Sequence, residues 1–345
     1  MKKILVVCAA LLTLPCLLVH AQEADDTENG IVLNVIPRLE YNNYISTAKG
    51  GENDSNFGNS ALYTLFEGNI TDNLSFSLCN HWLSREPKYL YKNTLHSDDV
   101  NWMDWGYLTY TIGNWEISAG KQVVTLGGFE FDDNDYDVHA ELNSNLWNIL
   151  PVYEWGGKVS YNATENNTFS LQMTTSPYGH RPIKSGLYNY SGEWRSTFGN
   201  VESILSFTML QTMKLGDGNK FFDCFNKVVT LGLQADVEPV VLRLDMFNKV
   251  GLDDDLLMVK GLTVLPSVLW PVNEKVELLC KAGFEHMNTE IDGIKQNSVN
   301  VGAALHWTPL KDKALRFHLT AAYNSGLEVV PISAGVLYNF SIKVK

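Results

Sequence analysis

The stretch "VNVGAALHW", residues 299–307, decides how the chain is read. Val299, Val301, Ala303, Leu305 and Trp307 fall on one side of an extended backbone, and Asn300, Gly302, Ala304 and His306 on the other. Strict alternation predicts a β-strand with one apolar and one polar face. The same pattern recurs on either side. "ALRFHLTAAY" (314–323) sets Leu315, Phe317, Leu319, Ala321 and Tyr323 against Arg316, His318, Thr320 and Ala322. "KVELLCKAGF" (275–284) sets Val276, Leu278, Cys280, Ala282 and Phe284 against Lys275, Glu277, Lys281 and Gly283. "GVLYNFSIKVK" (335–345) sets Val336, Tyr338, Phe340, Ile342 and Val344 against Asn339, Ser341, Lys343 and Lys345. About sixteen such segments run from 31 to 344, including 74–86, 115–126 and 257–270, with no comparable helical segment.

The connectors alternate between two kinds. Those at 71–73, 113–114, 164–167, 199–200, 237–239, 271–274 and 308–313 are short. Those at 44–58, 87–100, 127–152, 178–186, 214–224, 249–256, 288–297 and 325–331 are mostly longer. Short turns at one end and long loops at the other characterise transmembrane β-barrels. A soluble sandwich shows the same alternation with its apolar face turned inward, so the aromatics discriminate. Trp115 and Phe169 open strands just after short connectors, and Trp270 and Trp307 close strands just before them. Four aromatics at one end fit an interfacial girdle. The expected fold is all-β: a transmembrane antiparallel up-and-down barrel of about sixteen strands, with short periplasmic turns and long extracellular loops. The competing readings are a soluble exported β-sandwich that binds carbohydrate and a barrel acting as a surface adhesin or structural protein.

The chain opens MKKILVVCAALLTLPCLLVHA, with two lysines and then an uncharged run that ends in small residues at Val19 and Ala21. This predicts a secretory signal peptide over 1–21 and a single barrel domain over 22–345. No later segment supplies the roughly 20 consecutive apolar residues of a transmembrane helix. Without Lys2 and Lys3, 24 basic residues face 39 acidic ones, a net charge of −15. Such a chain is a poor partner for nucleic acid. Cys79, Cys224 and Cys280 are too few and too far apart for a disulfide framework.

The densest charge lies in "FEFDDNDYDVH" (129–139), where Glu130, Asp132, Asp133, Asp135 and Asp137 surround Phe131 and Tyr136. Asp133, Asp135 and Asp137 have the first spacings of an EF-hand. Val138 then replaces the required glycine and Ser144 the required glutamate, so that motif fails. Crowded solvated acids give no reason for one to stay protonated, as glycoside hydrolysis requires. The histidines show no nucleophile or metal spacing; His81, His306 and His318 fall on polar strand faces. No catalytic residue, metal site or cofactor is assigned.

The stretch "WEISAGKQVVTLGGFEFDDNDYDVH" (115–139) is a strand that carries Gly-Lys and then runs through glycines into a long loop. With the architecture, it resembles the phosphate-selective porin O/P-like family of bacterial outer-membrane porins, particularly its Bacteroidetes relatives. The resemblance implies a passive diffusion channel for small hydrophilic solutes or ions, embedded in outer-membrane lipid, with a homotrimer among the compatible assemblies. It also implies that the third long connector, 127–152, folds inward to narrow the pore. Glu130, Asp132, Asp133, Asp135 and Asp137 are then the constriction acids, facing wall arginines and lysines. Arg38, Arg195, Arg243 and Arg316 fall on the inferred lumen face, three of them with an acid two residues away. Simple alternation puts Lys121 toward lipid. The resemblance favours a bulge near Gly120 that turns it to the lumen. Two features depart from the family: the loop is acidic rather than basic, and the last aromatic, Phe340, precedes the terminus by five residues.

Overall fold

The computed structural model describes residues 30–82, 103–133, 136–150, 152–179, 185–215, 220–251, 260–288 and 295–344. The expected signal peptide lies outside them, as does Asp135. Eighteen strand segments follow in chain order: β1 (Ile31–Ser46), β2 (Asp54–Asn56), β3 (Ala61–Thr71), β4 (Leu74–His81), β5 (Met103–Ile112), β6 (Trp115–Val123), β7 (Tyr153–Thr164), β8 (Asn167–Thr175), β9 (Tyr188–Phe198), β10 (Val201–Gln211), β11 (Phe225–Val237), β12 (Val240–Val250), β13 (Gly261–Asn273), β14 (Val276–Met287), β15 (Asn297–Trp307), β16 (Leu315–Asn324), β17 (Val329–Tyr338) and β18 (Phe340–Lys343). β2 is a short strip in the first long loop, hydrogen-bonded to β1. β17 and β18 are two halves of one strand, both paired with β1. Sixteen spanning strands therefore form one sheet, each antiparallel to its neighbours. β1 pairs with β3 on one side and with β17 and β18 on the other, which closes the barrel.

Closure removes every sheet edge, and alternation then has only two destinations. On the outside, Leu108 is 49%, Ile112 54%, Leu171 70%, Val301 48% and Leu319 52% exposed. On the inside, Asn300, His306, His318 and Thr320 are buried. A soluble sandwich would do the reverse, so that alternative is set aside. An apolar belt of this extent is stable only against lipid. Trp115, Phe169, Trp270 and Trp307 all stand exposed at the short-turn end. Cross-strand partners extend the girdle: Trp307 stacks on Phe317 at 5.2 Å and Trp115 lies 4.6 Å from Tyr161. No helix among the described residues is long and apolar enough to cross a membrane.

The short turns follow their sequences. Gly113 and Gly199 take φ of 56° and 63° at the first turn position, where a tight hairpin needs positive φ. The strand expected over 257–270 is Gly261–Asn273 instead, and continues past Pro271. A register shift between Pro271 and Asn273 accommodates the missing N–H, so proline bends the ladder there without ending it.

Candidate functional site

Residues 124–133 and 136–150 follow β6 and run along the inner face of the wall. Gly127 and Gly128, with φ of 77° and 83°, make this departure possible. A Cβ on Gly127 would sit 2.3 Å from Ser206 Oγ, and one on Gly128 2.8 Å from the Phe247 ring. Only glycine lets the backbone approach so closely. The wall then satisfies the loop's polar backbone. Leu126 O accepts from Ser206 Oγ (2.5 Å) and Thr230 Oγ1 (2.7 Å), and Thr208 bonds the Thr125 carbonyl. Asp245 accepts from the amides of Phe129 and Glu130, both at 2.9 Å. Val124, Leu126, Phe131, Leu146 and Leu150 pack on Leu210, Val228, Phe247 and Leu265. Phe131 meets Phe247 edge to face at 5.5 Å, and Tyr136 reaches Tyr63 at 6.0 Å. A short helix, Asn145–Ile149, is capped by Ser144, whose Oγ accepts from the Trp147 amide. Leu142 enters a notch between Gly302, Ala304 and Ala322.

The acidic run is tied to basic wall residues one by one. Arg195 holds Asp132 through two bonds of 2.7 Å and also grips Glu193. Arg243 reaches Asp133 at 3.4 Å and lies over the Phe129 ring. Arg316 bonds Asp137 at 2.8 Å. Arg38 donates to the carbonyls of Tyr136 and Val138 and to Glu40. Glu130 is 3% exposed. It accepts from Lys281 Nζ (2.6 Å), the Ser144 amide and Ser144 Oγ. Acids and arginines thus meet as contact pairs. They do not face one another across an opening, as the sequence expectation had it. Glu130 serves the loop's interior.

Lys121 corrects another expectation. β6 keeps unbroken register with both neighbours, Lys121 opposite Gly106 and Trp155, so Gly120 carries no bulge. The shift lies in β5, between the residues paired with Cys79 and Asn80. There the chain presents the Met103 carbonyl, to which Lys121 Nζ donates at 2.5 Å. At 5% exposure, Lys121 is packed into the wall apart from the four arginines.

Sequence reasoning missed a polar knot behind the loop. His139 Nε2 lies 2.8 Å from His306 Nε2, and His306 Nδ1 lies 3.0 Å from Glu277. His318 Nε2 lies 2.8 Å from Glu40. Burial and the nearby Arg38 hold the His139 pKa well below its usual value, so the ring is neutral. Burial and the adjacent Glu40 push Glu141 up to about 7. A signal was available: two inward histidines, His306 and His318, stand directly opposite in register.

The loop's described residues bond or pack against β8 to β16, β1 and β3. A cavity of about 270 Å³ separates Phe131, Asp132, Asp133 and Tyr136 from a wall that includes Glu67, Trp105, Tyr107 and Tyr153. A second cavity, about 260 Å³, shares Tyr107 and Val123 with it and continues past Thr109, Glu116, Ser118 and Lys158. Together their linings run over β3 to β8.

This fold is that of the outer-membrane porins. The outer membrane channel DcaP of Acinetobacter baumannii superposes with a TM-score of 0.61 at 12% identity, over 90% of this chain and 98% of that one. The anion-selective porin from Comamonas acidovorans gives 0.60 at 10% identity, over 90% and 100%. In-vitro folded OmpT of Vibrio cholerae, described as a trimer form, gives 0.53 at 10% identity, over 90% and 99%. At such identities the likeness is one of fold. No family model matches the chain, the phosphate-selective family among them, and no curated protein matches it.

Proposed function

We propose that this protein is a non-enzymatic diffusion channel of the bacterial outer membrane, passing small hydrophilic solutes or ions down their gradient. The observation that carries this reading is a pair of adjoining cavities beside the inner loop, lined by polar and aromatic side chains, inside a barrel whose outer face is apolar. Loop 127–152 is the constriction, with Asp132 and Asp133 on its open edge. Their partners Arg195 and Arg243 offset most of that charge. The remaining field comes from Glu67 and Glu116, balanced in part by Lys158, which favours cations and neutral solutes modestly over anions. Kinship with the phosphate-selective O/P-like porins, a homotrimeric assembly and a cleaved leader over 1–21 belong to the same proposal. The first rests on the stretch 115–139 and the second on the fold. Planar bilayers test the function. Stepwise conductance with a reversal potential mildly on the cation side is expected, whereas a barrel that inserts and carries no current is an adhesin or structural protein.

A further inference from the structure

Glu40 on β1, His318 on β16 and His139 at the end of the acidic run come from distant parts of the sequence and meet behind the loop. One donor atom of each lies within 4.8 Å of the other two. Their residue exposures are 0%, 4% and 2%. A knot held only by hydrogen bonds would be expected to pair its buried polar atoms. This one leaves several without partners, among them His318 Nδ1, Glu141 Oε2 and two nitrogens of Arg316. The His318 nitrogen that can share an ion with Glu40 is Nε2, 2.8 Å from Glu40 Oε2, with the ring proton then on Nδ1.

We propose that Glu40, His139 and His318 bind one divalent transition-metal ion of the zinc class, through one carboxylate oxygen and two imidazole nitrogens. Nitrogen donors with a single carboxylate suit zinc, cobalt, nickel or copper. Calcium and magnesium take oxygen ligands, whereas two of these three donors are nitrogens. The surroundings supply the outer support a metal site needs. Arg38 orients Glu40 through two bonds, and Thr320 and His306 hold His139 by its two nitrogens at 3.2 and 2.8 Å. Binding displaces one of the two contacts on His139, since one nitrogen lone pair serves one partner. Asp137 and Glu277, paired with Arg316 and His306 beside the knot, are each about 40% exposed at the side chain. The bound ion would pin the loop to β1 and β16. The site does not depend on what crosses the passage.

The test uses the full-length barrel in detergent, stripped with chelator and titrated with Co²⁺ and then Zn²⁺. One equivalent of Co²⁺ with the intense visible bands of a four-coordinate ion is expected, bleached by one equivalent of Zn²⁺. His139→Asn and His318→Asn should each weaken Zn²⁺ binding at least tenfold, while His286→Asn, at an exposed position, should not. Heat-modifiable migration in gels verifies that each variant is folded. Should either fail to fold, Cu²⁺ resonance on the unaltered protein decides, with hyperfine coupling to two imidazole nitrogens expected. The absence of stoichiometric uptake overturns the site. So does a pale six-coordinate Co²⁺ spectrum, all-oxygen Cu²⁺ ligation, or folded variants that bind as the parent does.

Discussion

Leu108 and Thr109 are neighbours in β5, yet one meets lipid and the other lines the passage. Placing arginine at each in turn tests the barrel directly. Leu108 lies four residues before Ile112, where the strand reaches its short turn. At about 3.4 Å per residue and a tilt of about 40°, that is roughly 10 Å in from the interface, near the middle of an apolar band about 25 Å tall. Arginine on the lipid face at that depth costs about 2–4 kcal/mol. The folded-to-unfolded ratio should fall by a factor of about 30 to 900. Ile112→Arg, at the interface, should cost about 0–1 kcal/mol. Thr109→Arg places its charge in water and should cost less than Leu108→Arg by at least about 1 kcal/mol. The assay is reversible denaturant unfolding in lipid vesicles, with linear extrapolation at a shared slope. Equal losses at 108 and 109, or a larger loss at 112 than at 108, would refute the assignment of faces.

Gly128→Ala forces a side chain into a conformation reserved for glycine and against Phe247. A loss of about 1–3 kcal/mol is expected in the same unfolding assay. Phe131→Ala removes the loop's aromatic anchor on Phe247, worth about 3 kcal/mol by core truncation. Single-channel recordings should then show larger and noisier conductance. Arg195→Gln frees Asp132 and should move the reversal potential toward cations at low salt. Asp132→Asn should move it the other way by less, because Arg195 stays paired with Glu193. Thr320→Asp, although on the lumen face, should impair assembly, since Thr320 is wholly buried beside His139.

Strands, turns and the outward face were legible because each depends on residues close together in sequence. Val299 to Trp307 state their own alternation, and the Gly-Asn turns at 113 and 199 state their own φ. Pro271 misled for the same reason: proline reads locally as a stop, and only the partner strand shows the register shift that absorbs it. The loop's partners were not legible. Arg195 meets Asp132 across 63 positions and Thr320 meets His139 across 181. Such meetings require the register of every intervening strand. Lys121 failed more narrowly, because the irregularity that gives it a partner lies in β5 and not in its own strand.

The acidic run reads in sequence as a filter, yet geometry assigns most of its charge to fastening. A lone carboxylate about 7 Å from a passing monovalent cation, in water, attracts it by about 0.6 kcal/mol. With a guanidinium about 4 Å farther back, the attraction falls to about 0.2 kcal/mol. Salt lowers both, and the smaller is then within thermal noise. Asp132, Asp133 and Asp137 are in this paired state, and Glu130 is buried against Lys281. What the pairs do well is locate the loop. Each arginine comes from a different strand, Arg195 on β9, Arg243 on β12 and Arg316 on β16, so three acids in one short segment fix its position at three points around the wall. The apolar packing of Phe131 and Leu146 supplies adhesion without direction, and the ion pairs supply direction. Replacing one acid should therefore change the loop's placement, and through it the width of the passage, more than the sign of what passes.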